Sequence, residues 1–138
     1  MEGGFAMTET QQGIFDACMS LTDAHVCESK HHEILQEIAT RHARYQADRC
    51  TQGHQYWTSR YWELQRRASK RYKYKEIVAE SWPWQKDCTP KELGAEMFAC
   101  WRQSNGHWEV AGEKHRIYGA DMAQGKNGIW YACIIAGD

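Results

Sequence analysis

Through the first half of the chain, apolar residues recur every three or four positions; in the second half they gather into runs and alternations. Ile14, Phe15, Cys18, Met19 and Thr22 share one helical face and predict a first helix over about 11–25. Leu35, Ile38, His42 and Tyr45 make the stripe of a second helix over about 30–48, with Glu33, Glu37, Arg41 and Arg44 on its other sides. Gly53 interrupts that period and suits a turn or cap. A third helix over about 58–69 follows, with Thr58 or Ser59 as its cap and Trp57, Tyr61, Trp62 and Leu64 as its apolar side. Ahead of these, residues 1–11 read as a loose tail, and 12–138 as one domain.

The pattern then changes. Lys75 to Trp82 reads as a strand leading into Pro83. The next helix is the best marked: Thr89 caps it, Pro90 takes its first position, and Glu92 completes a Thr-x-x-Glu box. Leu93, Met97, Cys100 and Trp101 form its buried stripe, and Asn105-Gly106 supplies a stop. Two strands over about 116–123 and 128–136, joined by Gln124-Gly125-Lys126-Asn127, predict a hairpin. The last strand is apolar on both sides: Ile129, Tyr131, Cys133 and Ile135 point one way, Trp130, Ala132, Ile134 and Ala136 the other. Such a strand must be covered on both faces. The expected fold is therefore an α-β-α sandwich of the α+β class, a small antiparallel sheet between two helical layers.

At 138 residues the chain has the size of one domain, with enough buried surface to hold a core without staples. A net charge of -1 gives no general attraction to nucleic acid or membrane. The six basic residues from Arg66 to Lys75 fit a solvated face better than a phosphate site, because Tyr72 and Tyr74 form no recognised stacking motif. No apolar run approaches the roughly 18 residues of a membrane span. Met1-Glu2-Gly3-Gly4-Phe5 lacks the apolar core of a signal peptide, which suggests a cytoplasmic protein or one released or assembled in a particle. On that reading the six cysteines default to reduced thiols, with at least one disulfide as the alternative, and no Cys-x-x-Cys marks a zinc ribbon. Seven Trp imply large aromatic packing units whose N–H groups need partners.

Three residues are expected at element edges, where side chains can converge while the scaffold stays packed. His54 follows Gly53, Glu80 ends a strand of Ile77, Val78 and Ala79, and His107 follows Gly106. Two imidazoles and a carboxylate can bind a divalent metal such as zinc with one position open to water, or act as a general acid–base pair. His42, in mid-stripe, reads as a satisfied core histidine, and His31, His32 and His115 as surface groups. Ser104, Trp108 and Trp82 are expected to line the same cleft.

With these residues in place the chain resembles the CAP superfamily of cysteine-rich secretory proteins, antigen five and pathogenesis-related proteins, in its bacterial branch. Trp101-Arg102-Gln103-Ser104-Asn105-Gly106-His107 is similar to that branch's Trp-x-x-Ser-x-Gly-His signature, and Ala79-Glu80-Ser81-Trp82 to its Gly-Glu-Asn strand. Ile38 to Ala43 followed by Gly53-His54 looks like its second helix and first site histidine; Tyr118-Gly119-Ala120 and Gly128 to Tyr131 look like its terminal hairpin. The resemblance implies a central cleft lined by two His and two acidic residues, with zinc or magnesium bound in some members and sterols or fatty acids in others. His54, Glu80 and His107 match three of the four positions; Ser104 stands where many members carry the second Glu.

The expected function is that of a CAP-type binding module holding a divalent metal or small ligand without turnover. Two alternatives stand beside it. One is a metal-assisted hydrolase with Glu80 as general base. The other is a structural subunit of a virion or other large assembly.

Overall fold

The computed structural model describes residues 6–82 and 87–138; Pro83, expected at the end of a strand, lies outside them. Thr8 starts the first helix. Its hydroxyl accepts the Gln11 N–H at 3.3 Å while the Gln11 side chain accepts the Thr8 N–H at 3.1 Å, so two orphan donors are satisfied reciprocally. Helix α1 (Glu9–Met19) thus begins inside the expected tail, and it stops at Met19 rather than near residue 25. A short 3-10 turn (Val26–Glu28) leads to β1 (Lys30–His31). Helix α2 (Glu33–Arg49) begins where the His32 ring accepts the Ile34 N–H at 3.1 Å, and it ends at Cys50 in the left-handed region, φ 52°.

Helix α3 (Trp57–Arg67) has neither Thr58 nor Ser59 as its cap; Tyr56 holds that position at φ 61° with no side-chain bond. The remaining elements are β2 (Tyr74–Glu80), α4 (Pro90–Arg102), α5 (Asn105–Ala111), β3 (Ile117–Gln124) and β4 (Trp130–Gly137). Helix α4 has the predicted capping box, with Thr89 and Glu92 bonded reciprocally. The hairpin turn closes through Gly125 and Gly128, the latter at φ 84°, where a side chain would be strained.

The described sheet has the strand order β1-β3-β4-β2. Its three long strands are antiparallel, but β1 runs parallel to β3, so the sheet is mixed rather than antiparallel throughout. The added strand is two residues long. It forms because the His32 N–H reaches Tyr118 O at 3.0 Å just before α2 crosses the sheet.

Each face carries its own core. Under α2 and α3 lie Leu35, Ile38, Leu64, Val78, Ile117, Cys133 and Ile135. Under α1, α4 and α5 lie Ile14, Leu93, Met97, Phe98, Trp101, Ile77, Ala120, Met122 and Ile134. Strand β4 feeds both, Cys133 and Ile135 to one side and Ala132, Ile134 and Ala136 to the other, as its double apolar pattern requires. This is the α-β-α sandwich of the α+β class. No helix among the described residues is long and apolar enough to cross a membrane.

Helix α2 lies close on β3 at Gly119. A Cβ there would stand 2.3 Å from the Gln36 nitrogen and 2.4 Å from the Leu35 carbonyl carbon, both backbone atoms within a helix. Gly119→Ala should therefore lower the urea-unfolding free energy by about 1–3 kcal/mol or more; a wild-type midpoint would contradict this close approach.

His115 is not a surface group. It is 5% exposed, and its N–H donates to Ser29 Oγ at 2.7 Å. Its ring nitrogens lie 2.8 Å from Val110 O and 2.8 Å from Asp138 Oδ2. His42 is the satisfied core histidine expected, 2% exposed with Nε2 2.7 Å from Gly53 O.

Candidate functional site

A cleft of about 260 Å³ opens at the end of β2, lined by Gln52, Val78, Ala79, Glu80, Ser81, Trp82, Cys100, Trp101 and His107. Its floor follows from strand pairing. Ser81 extends the β2–β4 contact by one residue, its N–H donating to Trp130 O and its Oγ accepting the Trp130 N–H, both at 2.9 Å. Trp82 then emerges half exposed, at 53%. One wall is Trp101 of α4, whose indole N–H donates to Val78 O at 2.9 Å. Opposite it, Gln52 Nε2 donates to the same carbonyl at 3.5 Å.

His107 reaches this cleft through a helix start that the sequence disguised as a stop. Ser104 caps α5, its Oγ accepting the His107 N–H at 3.4 Å, so His107 sits in the first turn of a new helix. Among the described residues neither the Glu80 carboxylate nor the His107 ring has an internal hydrogen-bond or ion-pair partner, and both face the cleft. Two potential nucleophiles lie nearby and neither is activated. Ser81 is 4% exposed with its oxygen accepting from Trp130. Burial, with Glu96 and Glu80 adding to it, pushes the Cys100 thiol above its ordinary value.

The structure separates the expected triad. Glu80 and His107 share the cleft with Trp82, but His54 does not line it. Its Nδ1 lies 2.8 Å from Oε1 of Glu76, further back on β2. Residues four apart on a strand are separated by about 13 Å, so an imidazole bound at Glu76 is out of reach of an ion held at Glu80. Among the described residues no group of three or more His, Cys, Asp or Glu side chains could hold a metal ion. The described residues therefore do not supply the three protein ligands of an open zinc site. Ser104 serves as a helix cap rather than a wall. Trp108 lines a neighbouring hollow with Asn105, Glu109, Gly112 and Glu113, and the Arg102 guanidinium lies 4.2 Å over its ring.

Glu76 is the charged centre that the sequence reading passed over. Its side chain is 1% exposed and takes both Arg60 Nε and Nη2 at 2.7 Å. His42 Nε2 stands 3.9 Å away and the Cys133 thiol 3.8 Å away. Burial pushes the Glu76 carboxyl up, but the hydrogen bonds of His54 and Arg60 and the Arg60 charge outweigh it and hold the group below its ordinary value. Burial drives His42 the other way for a base, below its ordinary value, against the pull of Glu76. The signal was available: Glu76 shares the strand face of Val78, which α2 and α3 cover. Asp121 is buried likewise, with the Thr10 and Thr40 hydroxyls, Gln11 Nε2 and the Met122 N–H donating to it.

These features define an α-β-α sandwich protein with a small acid- and imidazole-edged cleft at the end of one long strand. No protein-family model matches the chain, and no curated protein matches its sequence. Among solved structures it is similar to an outer surface protein from Borrelia burgdorferi, with a TM-score of 0.61 at 14% identity, over 100% of this chain and 98% of that one. At that identity the likeness is one of fold.

Proposed function

We propose that this chain is a CAP-like binding module whose cleft takes a small ligand, or a single side chain of a partner, between Glu80 and His107 without turning it over. The reading rests on one observation: these two side chains face one cleft and neither is used by a partner within the described fold. At about 260 Å³ the space lies below the common range for drug-sized ligands and suits a compact group. A carboxylate accepts only, and the Trp82 and Trp101 indoles offer flat apolar walls. The fitting ligand carries an N–H donor or positive charge on a short apolar body. The absence of an activated serine or cysteine in the cleft favours binding over a covalent hydrolase.

The test is a titration of the protein with n-butylammonium, followed by amide chemical shifts. Shifts should centre on Gln52, Glu80, Trp82 and His107, and Glu80→Gln should weaken binding about tenfold by removing the charge-assisted bond. Shifts elsewhere, or an affinity indifferent to Glu80→Gln, would dismiss the reading. Equilibrium dialysis against zinc, comparing wild type with His54→Ala/His107→Ala, distinguishes the metal-centred version: equal zinc content in both is expected.

A further inference from the structure

At the end of α1 the chain turns back on itself, and the 3-10 turn brings a second cysteine under the helix. Cys18 sits in the last turn of α1 and Cys27 in the 3-10 turn. They are 0% and 5% exposed and belong to one apolar cluster with Ile14, Val26 and Tyr118. The Cys18 thiol donates to Ala24 O at 3.5 Å, which fixes the corner between them. Helix α1 packs on the 3-10 turn, and Cys27 and Cys18 each perturb the other's thiol, with Tyr118 bordering Cys27 from the sheet side. Of the other four cysteines, Cys133 lies between the sheet and Glu76, Cys100 faces the cleft, Cys50 ends α2, and Cys88, half-buried against the edge of the cluster, stands just ahead of α4.

We propose that Cys18 and Cys27 are an oxidative modification site, which a small-molecule disulfide such as glutathione disulfide converts into an intramolecular cross-link. The Cys18 thiolate attacks one sulfur of the reagent and expels the other as a thiolate, which takes a proton. The Cys27 sulfur then attacks the sulfur of Cys18, losing its own proton, and expels the second glutathione. Two protein thiols are oxidised by two electrons, one reagent disulfide is reduced, and two glutathione molecules leave. Attack by Cys27 first gives the same cross-link and the same balance. Because both sulfurs are buried, the exchange runs as the corner folds or opens rather than on the closed surface.

The test uses the whole chain, refolded in mixtures of reduced and oxidised glutathione, denatured with N-ethylmaleimide and digested with trypsin. The first Lys or Arg is Lys30, so residues 1–30 emerge as one peptide carrying Cys18 and Cys27 and no other cysteine. That peptide should be free of maleimide and two hydrogens lighter than its reduced form, and should take two labels after reduction. The same mixture held in concentrated guanidinium should instead scatter bonds among the six cysteines. Full labelling of the peptide at every glutathione ratio, or bonds from it to other cysteines after refolding, would overturn the proposal. A cross-link across so short a loop should also raise the thermal midpoint of the oxidised protein about 5–10 °C above its reduced form. Cys27→Ala should lose that response to redox buffer; a shift that persists in this variant would likewise count against the assignment.

Discussion

Glu76→Gln is expected to remove about 3–5 kcal/mol from the folding free energy, which is a large part of what a domain of this size has. The substitution keeps the shape and deletes the charge. Arg60, whose side chain is 7% exposed and makes two bonds of 2.7 Å to Glu76, would then be a buried cation without a counterion. Its remaining contacts, from Nη1 to Gln55 O and over the Trp57 ring at 5.6 Å, carry no net negative charge and cannot neutralise it. Replacing both partners by apolar residues of similar volume, Glu76→Met with Arg60→Met, should cost less than the sum of the two single changes. Urea-unfolding free energies for the four proteins decide this, and additivity within about 0.5 kcal/mol would mean that the two groups do not depend on each other.

The same centre makes the fold acid-sensitive, and the sign follows from both groups. His42 is held below its ordinary value of 6.5, so the unfolded chain takes up that proton first as pH falls, and stability declines from there down to the folded value. Glu76 is held below its ordinary value of 4.5, so its contribution is complete above that pH and is lost on descending through the folded value. The contribution of these two groups should thus be complete above about pH 7 and decline in two stages below it. Glu76→Gln should shrink the lower stage to what the surface carboxylates paired with arginine, Glu63 above all, still contribute.

How much of this could be read beforehand depends on whether an element is fixed locally. The α4 capping box and the two-faced β4 are local patterns, and both stand where the residues put them. Strand β1 could not be read so, since two residues join a sheet only through Tyr118, far along the chain. Helix α5 was hidden because Asn105-Gly106 reads as a stop; the neighbouring Ser104 hydroxyl makes it a start. The site divided for a similar reason. Period and spacing put Glu80 and His107 at element edges, and they do meet in one cleft. Which carboxylate His54 would choose was a tertiary question. Glu76 and Glu80 lie on the same face of β2, and the Arg60 guanidinium delivered by α3 builds the buried centre to which His54 turns.

Trp101 joins the core to the cleft, and Trp101→Ala should be as damaging as the loss of Glu76. Its side chain is fully buried, packs edge-to-face on Phe98 at 5.2 Å, and donates its indole N–H to Val78 O. Truncation leaves a large cavity between α4 and β2, for which about 3–5 kcal/mol is expected. Trp101→Phe fills most of that space but has no N–H; it isolates the hydrogen bond, for which about 1 kcal/mol is expected. The two variants differ in what they do to ligand binding. Because Trp101 is both the wall of the cleft and the pin between α4 and β2, the alanine variant should lose n-butylammonium binding even at temperatures where it remains folded. The phenylalanine variant should keep most of that binding, since an aromatic wall remains. Equal binding by all three proteins, measured below their thermal midpoints, would separate the cleft from the packing that shapes it.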